Sequence, residues 1–396
     1  MRADHPFHVP GFPRLAISYA INQTGDLLGV VALAILVLDE TGEPLATTAL
    51  FVAAKFVPAF AAPWLTARVD RYATRAVLPA IYAVEAVAFA GLAVLAKHFS
   101  LPLVLAVAFV DGVLALTARG LSRAAVARLL GDELRAGNAI LNIAFAVTGM
   151  LGPAIAGVIV ALFGVSTALV VDAASFTAIA LLLVTSRSLP GATPGEHESW
   201  VARVRDGLGY VWSRPTLRRL VGLQALAFVF FTLIVPIEVV YAKETLDAGD
   251  AGFGALLAAW GVGLTVGSVL FARVRNGPIA LLVGLSTLCV GTGYLGLAVA
   301  PEIITACFAS VIGGIGNGIQ WVAVLTAVQE AVSEDYQARV VGLLESIGAA
   351  MPGVGYVLGG ALTAIWSPRV AYLVAGAGTV LVAAAMTRRL AAVAPA

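Results

Sequence analysis

The second half of this 396-residue chain repeats the first at a spacing of about half its length, in a sequence too apolar to fold as a soluble domain. Gly152 and Gly157 of LGPAIAG have counterparts 203 residues on, at Gly355 and Gly360 of VGYVLGG, and Asp132 falls on Asp335. Ala67, Arg68 and Val69 recur as Ala272, Arg273 and Val274, 205 residues on. Hydrophobic residues make up 60% of the chain and charged residues 12%, with a mean hydropathy of +0.96, values outside the range of ordinary globular domains. The chain reads as an integral membrane protein in which a six-helix half occurs twice. Halves duplicated about an axis along the membrane normal place a solute site at their interface near mid-membrane, so the repeat points toward transport.

Apolar runs of the length needed to cross about 30 Å of hydrocarbon fall at 14–38, 47–67, 76–96, 101–124, 139–163 and 166–186, and again at 216–242, 252–273, 277–299, 302–325, 339–366 and 368–390. The predicted architecture is all-α, with twelve transmembrane helices in two pseudo-symmetric bundles, residues 1–190 and 216–396. The Pro- and Gly-bearing stretch within 191–215 reads as a cytoplasmic linker ending in an amphipathic helix, with Trp200, Val204, Leu208, Val211 and Trp212 on one face. Of the 24 Lys and Arg, all but Lys55, Lys97, Lys243 and Arg369 fall in one set of alternate loops or at the termini. The positive-inside rule then puts both termini in the cytoplasm of a plasma (inner) membrane protein. The short polar N-terminus reads as no removable signal peptide, so the first helix serves for insertion. Cys289 and Cys307 stand singly and all four histidines map to loops or termini, which predicts neither a metal centre nor a histidine relay.

The loop after the second helix reads TARVDRYATR. It resembles the signature between helices 2 and 3 of the major facilitator superfamily, Gly-x-x-x-Asp-Arg-x-Gly-Arg-Lys. Asp70, Arg71 and Arg75 match, while Thr66, Ala73 and Thr74 stand where Gly, Gly and a basic residue are usual. The loop is similar to the DRxxRR form of the multidrug, macrolide and siderophore exporters. TGMLGPAIAG in helix 5 resembles the antiporter signature of proton-coupled drug exporters through Gly152, Pro153 and Gly157, with Thr148 and Ala156 replacing two usual glycines. The resemblance implies a gating role for the Asp70 loop and a coupling role for the helix 5 motif. It also implies an arginine in helix 4, for which Arg119 and Arg123 are candidates. The plainer alternatives are an ordinary basic loop and a kinked packing helix.

Ionisable groups within a bilayer are costly and therefore functional suspects. Here they are Asp26, Lys55, Glu85 and Asp111, with Asp172, Glu238 and Glu345 nearer helix ends. In the resembled fold helices 1, 4, 7 and 10 line the central cavity. That brings Asn22, Asp26, Asp111, Glu238, Asn317, Gln320 and Trp321 within reach of a solute and makes Asp26, Asp111, Lys55 and Glu238 candidates for proton coupling. Lys55 is expected to pair with Asp26 or Asp111, because an unpaired ammonium in hydrocarbon costs about 2.5–3.5 kcal/mol. The helix 5 glycines are expected to receive a partner helix, with one from the other half favoured.

These features predict a secondary transporter, proton-coupled and exporting small amphipathic or cationic organic molecules, a monomer in the lipid bilayer with no cofactor and no nucleic-acid partner. An importer or facilitator of the same fold is the alternative. An intramembrane enzyme is remote, since neither a GxSxG motif nor an acid cluster of the DDxxD type is present. GGIGNG at 313–318 lies inside an apolar run with no strand before it, which argues against a nucleotide loop.

Overall fold

The computed structural model describes residues 6–69, 72–186, 188–191, 205, 208–274, 278–331 and 334–391. Among these, every long regular element is a helix, as a bilayer demands, because an unpaired backbone group costs several kcal/mol in hydrocarbon. The elements are α1 (Phe12–Thr41), α2 (44–69, with Val52–Phe56 wound as a π-turn), α3 (Thr74–Leu95), α4 (Leu101–Leu130), α5 (Leu134–Phe163) and α6 (Val165–Val184). The second set is α7 (215–245), α8 (Gly249–Val274), α9 (Ile279–Val299), α10 (Ile303–Ala331), α11 (Glu334–Ile365) and α12 (Pro368–Ala391). Ten of these are long and apolar enough to span a bilayer, and α5 and α11 contribute shorter apolar stretches, Val147–Phe163 and Ala350–Ile365. The twelve helices that the apolar runs predict are therefore present.

Local chemistry sets the helix ends. Proline, whose missing N–H costs nothing in a first turn, opens α1, α4, α7 and α12. Gly42 closes α1 in the left-handed region at φ 65°, its N–H returning to Leu38 O. Pro236 interrupts α7. A proline cannot donate to the carbonyl one turn back, and the chain passes through a 3₁₀ turn at Val235–Ile237 and ends in a second π-turn, Tyr241–Thr245.

Contacts group the chain into two compact units, residues 1–42 with 49–196, and 43–48 with 197–396. In the first, Tyr82 and Phe89 of α3 both pack on Phe176 of α6, with ring centroids 6.2 and 5.2 Å apart. In the second, glycines of α8 and α10 interlock. A methyl group on Gly263 would lie 2.9 Å from Gly314 Cα, and one on Gly318 would lie 2.8 Å from the Ser268 nitrogen. Backbones this close need residues without side chains on both helices. Apolar side chains such as Val87, Leu162, Phe308 and Leu381 are exposed, forming surface of the kind that hydrocarbon covers.

The repeat extends to packing. Gly152 of α5 faces Leu27 of α1, and its counterpart Gly355 of α11 faces Val229 and Thr232 of α7. Thus α5 lies on α1 as α11 lies on α7.

Candidate functional site

In the first unit the mid-membrane charges gather around α1. Asp26 Oδ2 accepts from Asn22 Nδ2 (3.2 Å), one turn earlier on the same helix, and from the Arg119 guanidinium of α4 (3.4 Å). The Asp26 side chain is 13% exposed and Arg119 38%, so the pair sits at an opening rather than in the sealed core. Of the two candidate arginines of α4, Arg119 is the one that meets Asp26, where Lys55 is the partner expected for Asp26 or Asp111. Position along α4 decides the matter: the two arginines share a face, but Arg119 lies level with Asp26, whereas Arg123, one turn on, is exposed.

Lys55 lies on the π-turn of α2 with its side chain exposed, and among the described residues no carboxylate lies within ion-pair distance of it. It is near enough to Asp111 for its charge to act on that carboxyl. A methyl on Gly112 would collide with the Ala54 carbonyl and lie 2.7 Å from Pro58, so α4 presses directly against the π-turn. Such turns insert one extra residue into a helix and are frequent at functional sites. Asp111 Oδ1 is buried and makes no hydrogen bond.

Two further acids lie deeper. Glu85 of α3 and Asp172 of α6 are fully buried; neither oxygen of Glu85 has a partner, and Asp172 has one hydrogen bond, from Ser175 Oγ to Oδ1 (3.2 Å). Gly25 and Gly29 make room for Asp172, since a methyl on Gly29 would lie 2.7 Å from its Oδ2. The four acids Asp26, Glu85, Asp111 and Asp172 lie within electrostatic reach of one another.

In the second unit the predicted residues divide. Asn317 and Gln320 of α10 line a cavity of about 80 Å³, together with Gln224 and Phe228 of α7, Thr287 of α9 and Thr379 of α12. Gln224 is 1% exposed and its Oε1 is unpartnered. The two threonine hydroxyls donate to carbonyls of their own helices, Val283 O and Ala375 O. Among the described residues, no ionisable group lines this cavity, so it suits a neutral hydrogen-bonding group. Glu238 is not among its lining residues. It follows the break in α7, within electrostatic reach of Tyr294 and Tyr372. Those rings belong to an aromatic stack in which Trp260 lies on Tyr294 (centroids 5.4 Å, planes 12° apart) and Tyr294 Oη donates to Phe231 O (3.0 Å). The Trp321 side chain lies outside the described residues.

The model of the transmembrane secretion effector family matches residues 3–394. This chain belongs to that family, a branch of the major facilitator superfamily. Among curated proteins it is similar to the multidrug efflux pump Tap of Mycobacterium tuberculosis, at 28% identity over 368 residues, covering 86% of this chain and 84% of the relative. It is also similar to an uncharacterised transporter of the superfamily, YfiS of Bacillus subtilis, at 26% identity over 239 residues and 57% of each chain. Among solved structures the nucleoside transporter NupG superposes with a TM-score of 0.75 at 13% identity, covering 96% of this chain and 98% of that one. A bacterial homologue of the human lysosomal transporter Spinster gives 0.71 at 13%, covering 99% and 96%. These two likenesses concern the fold. The protein is a multi-pass membrane transporter of small molecules and not an enzyme.

On this major facilitator frame the motif residues fall as follows. Asp70 and Arg71 lie outside the described residues, and Arg75 is exposed in the first turn of α3. Just before them, the Arg68 guanidinium lies 3.7 Å over the Trp64 ring. Pro153 and Gly157 are buried within α5, and the neighbour of Gly152 is Leu27, in the same half of the chain, rather than the favoured helix from the other half. In the linker, Tyr210 and Val211 are buried, Leu208 and Trp212 are exposed, and Trp200 and Val204 lie outside the described residues.

Proposed function

We propose that this transporter expels small amphipathic or cationic organic molecules from the cell in exchange for protons. The observation that carries the reading is the Asp26–Arg119 pair with Asn22 and Asp111 beside it. This charged, partly open constellation on α1 and α4 is of a kind that bilayers tolerate only where it serves ions or solutes. The efflux activity named for the Tap relatives supports the direction.

In this mechanism a cationic solute and Arg119 compete for Asp26. Solute binding releases the guanidinium, and a proton arriving at Asp26 or Asp111 expels the solute on the opposite side. Lys55 biases Asp111, and Glu238 serves the second half of the cycle. Asn317 and Gln320, with Trp321, orient polar parts of the solute. Residues 1–190 and 216–396 rock about a central site, the Asp70–Arg71–Arg75 loop latches the cytoplasmic side, and the Gly152–Pro153–Gly157 bend of α5 keeps the two fluxes coupled. The potential alone supplies about 2.3 kcal/mol per charge per 100 mV. The protein acts as a monomer in the plasma (inner) membrane with both termini cytoplasmic.

Everted vesicles carrying the protein and loaded by ATP-driven acidification test this with ethidium as the probe. Accumulation should appear with the pH gradient and collapse on adding a protonophore. Accumulation indifferent to the protonophore favours a facilitator and removes the exchange mechanism.

A further inference from the structure

We infer that Glu85 and Asp172 are proton-holding sites of the transport cycle, placed behind α1 and exchanging protons with Asp111 and Asp26 at the edge of the opening. This rests on the proton-exchange reading above and extends it to two residues that do not face the opening.

Position comes first. Tyr82 stacks on Phe176 and Phe89 packs tilted against it, and Glu85 lies between the two on the buried face of α3, so it is placed at the α3–α6 seam. Asp172 is one turn before Phe176 on α6 and is seated in the notch made by Gly25 and Gly29. Those glycines bracket Asp26 in α1. The notch therefore seats Asp172 against the segment of α1 that carries Asp26.

Satisfaction comes second. Three of the four oxygens of Glu85 and Asp172 have no hydrogen-bond donor, and both side chains are fully enclosed. A bare carboxylate so placed forfeits its hydration with nothing in return. The charged groups that act on Glu85 are Asp111, Asp26 and Asp172, and those that act on Asp172 are Asp26 and Asp111, all of them acids. Of the cations near the cluster, Arg119 is engaged by Asp26 and Lys55 acts on Asp111, while the Tyr82 phenol of α3 lies within electrostatic reach of Glu85. Among the described residues, no cation lies within ion-pair distance of the two deep acids. A proton on each removes the charge and supplies the missing hydrogen. Passing it to Asp111 or Asp26 moves one proton from one carboxyl oxygen to another, with nothing oxidised or reduced.

Infrared difference spectra of the protein in lipid, recorded between acid and alkaline buffer in H₂O and D₂O without any solute, read these protons directly. The wild type should show protonated-carboxyl C=O components that shift on deuteration. One component should vanish in Glu85→Gln and another in Asp172→Asn, while both persist in Asp26→Asn. Should either variant misfold, labelling of the wild type with dicyclohexylcarbodiimide, which attacks protonated carboxyls in apolar sites, should modify Glu85 and Asp172 on peptide mapping. Unchanged spectra in both variants, components that never respond to pH, or labelling confined to other acids would overturn the inference. Because no solute takes part, a transport assay that shows no proton dependence while these components titrate refutes the exchange mechanism and the transport role of the two acids, and leaves them as proton-binding groups only.

Discussion

Asp26 has two donors, and they contribute unequally. Removing Arg119 leaves the carboxylate with Asn22 alone, and a hydrogen bond to a charged group is worth about 1.5–3 kcal/mol. Arg119→Gln should therefore lower stability in detergent by about that amount or somewhat less, given the exposure of the guanidinium. Adding Asp26→Asn should return part of the loss, and strictly additive losses in thermal unfolding would deny the pair. Lys55 should behave differently. With an exposed side chain and no ion pair, Lys55→Met should change stability by no more than about 0.5 kcal/mol while lowering proton-driven transport. A loss of about 3 kcal/mol or more would instead indicate a buried partner. The sequence made the rare charges visible, since each interrupts an apolar run. It did not reveal which cation meets which acid, because that depends on how far along its axis each helix sits against its neighbour, and Arg119 and Arg123 share a face a single turn apart. Gln224 went unremarked for a simpler reason: an uncharged polar residue in a hydrophobic run resembles many that only pack.

At the scale of helices, the four-residue spacing of Gly25/Gly29, Gly263/Gly267, Gly314/Gly318 and Gly355/Gly359 marks points of close approach in the sequence itself. Their partners are not marked. Small residues at i and i+4 say that something comes near without saying what. Gly263 and Gly318 receive another backbone, whereas Gly29 receives the Asp172 carboxylate and the Phe89 ring. The π-turn at Val52–Phe56 has no signature in the local sequence. It becomes intelligible only beside Gly112, which brings α4 against it. Filling these contacts should cost what overpacking ordinarily costs, about 1–3 kcal/mol. Gly314→Leu should lower the yield of folded protein after detergent extraction, as followed by size-exclusion chromatography, and Gly112→Leu should do so comparably. Gly222, which has open space at its Cβ position, should accept leucine without that penalty. Equal behaviour of all three variants would count against interlocked backbones as the source of stability.

Across the whole molecule, the duplication visible in the sequence reappears as packing, with α5 on α1 and α11 on α7, yet the two halves hold different chemistry. The first concentrates carboxylates around a single guanidinium. The second offers amides, hydroxyls and aromatic rings, with Glu238 set apart beyond a broken helix. In the proposed mechanism, this division puts proton binding mainly in the first half and recognition of neutral polar groups mainly in the second. The central claim, that the acids of α1 and α4 join solute movement to proton movement, is tested most directly in proteoliposomes by recording internal pH and ethidium flux together. Wild-type protein should move protons against ethidium, each flux driving the other. The Asp26→Asn/Asp111→Asn protein, folded as judged by its unfolding profile, should lose proton movement and retain at most downhill ethidium flux. Proton-coupled ethidium transport undiminished in that double variant would contradict the account.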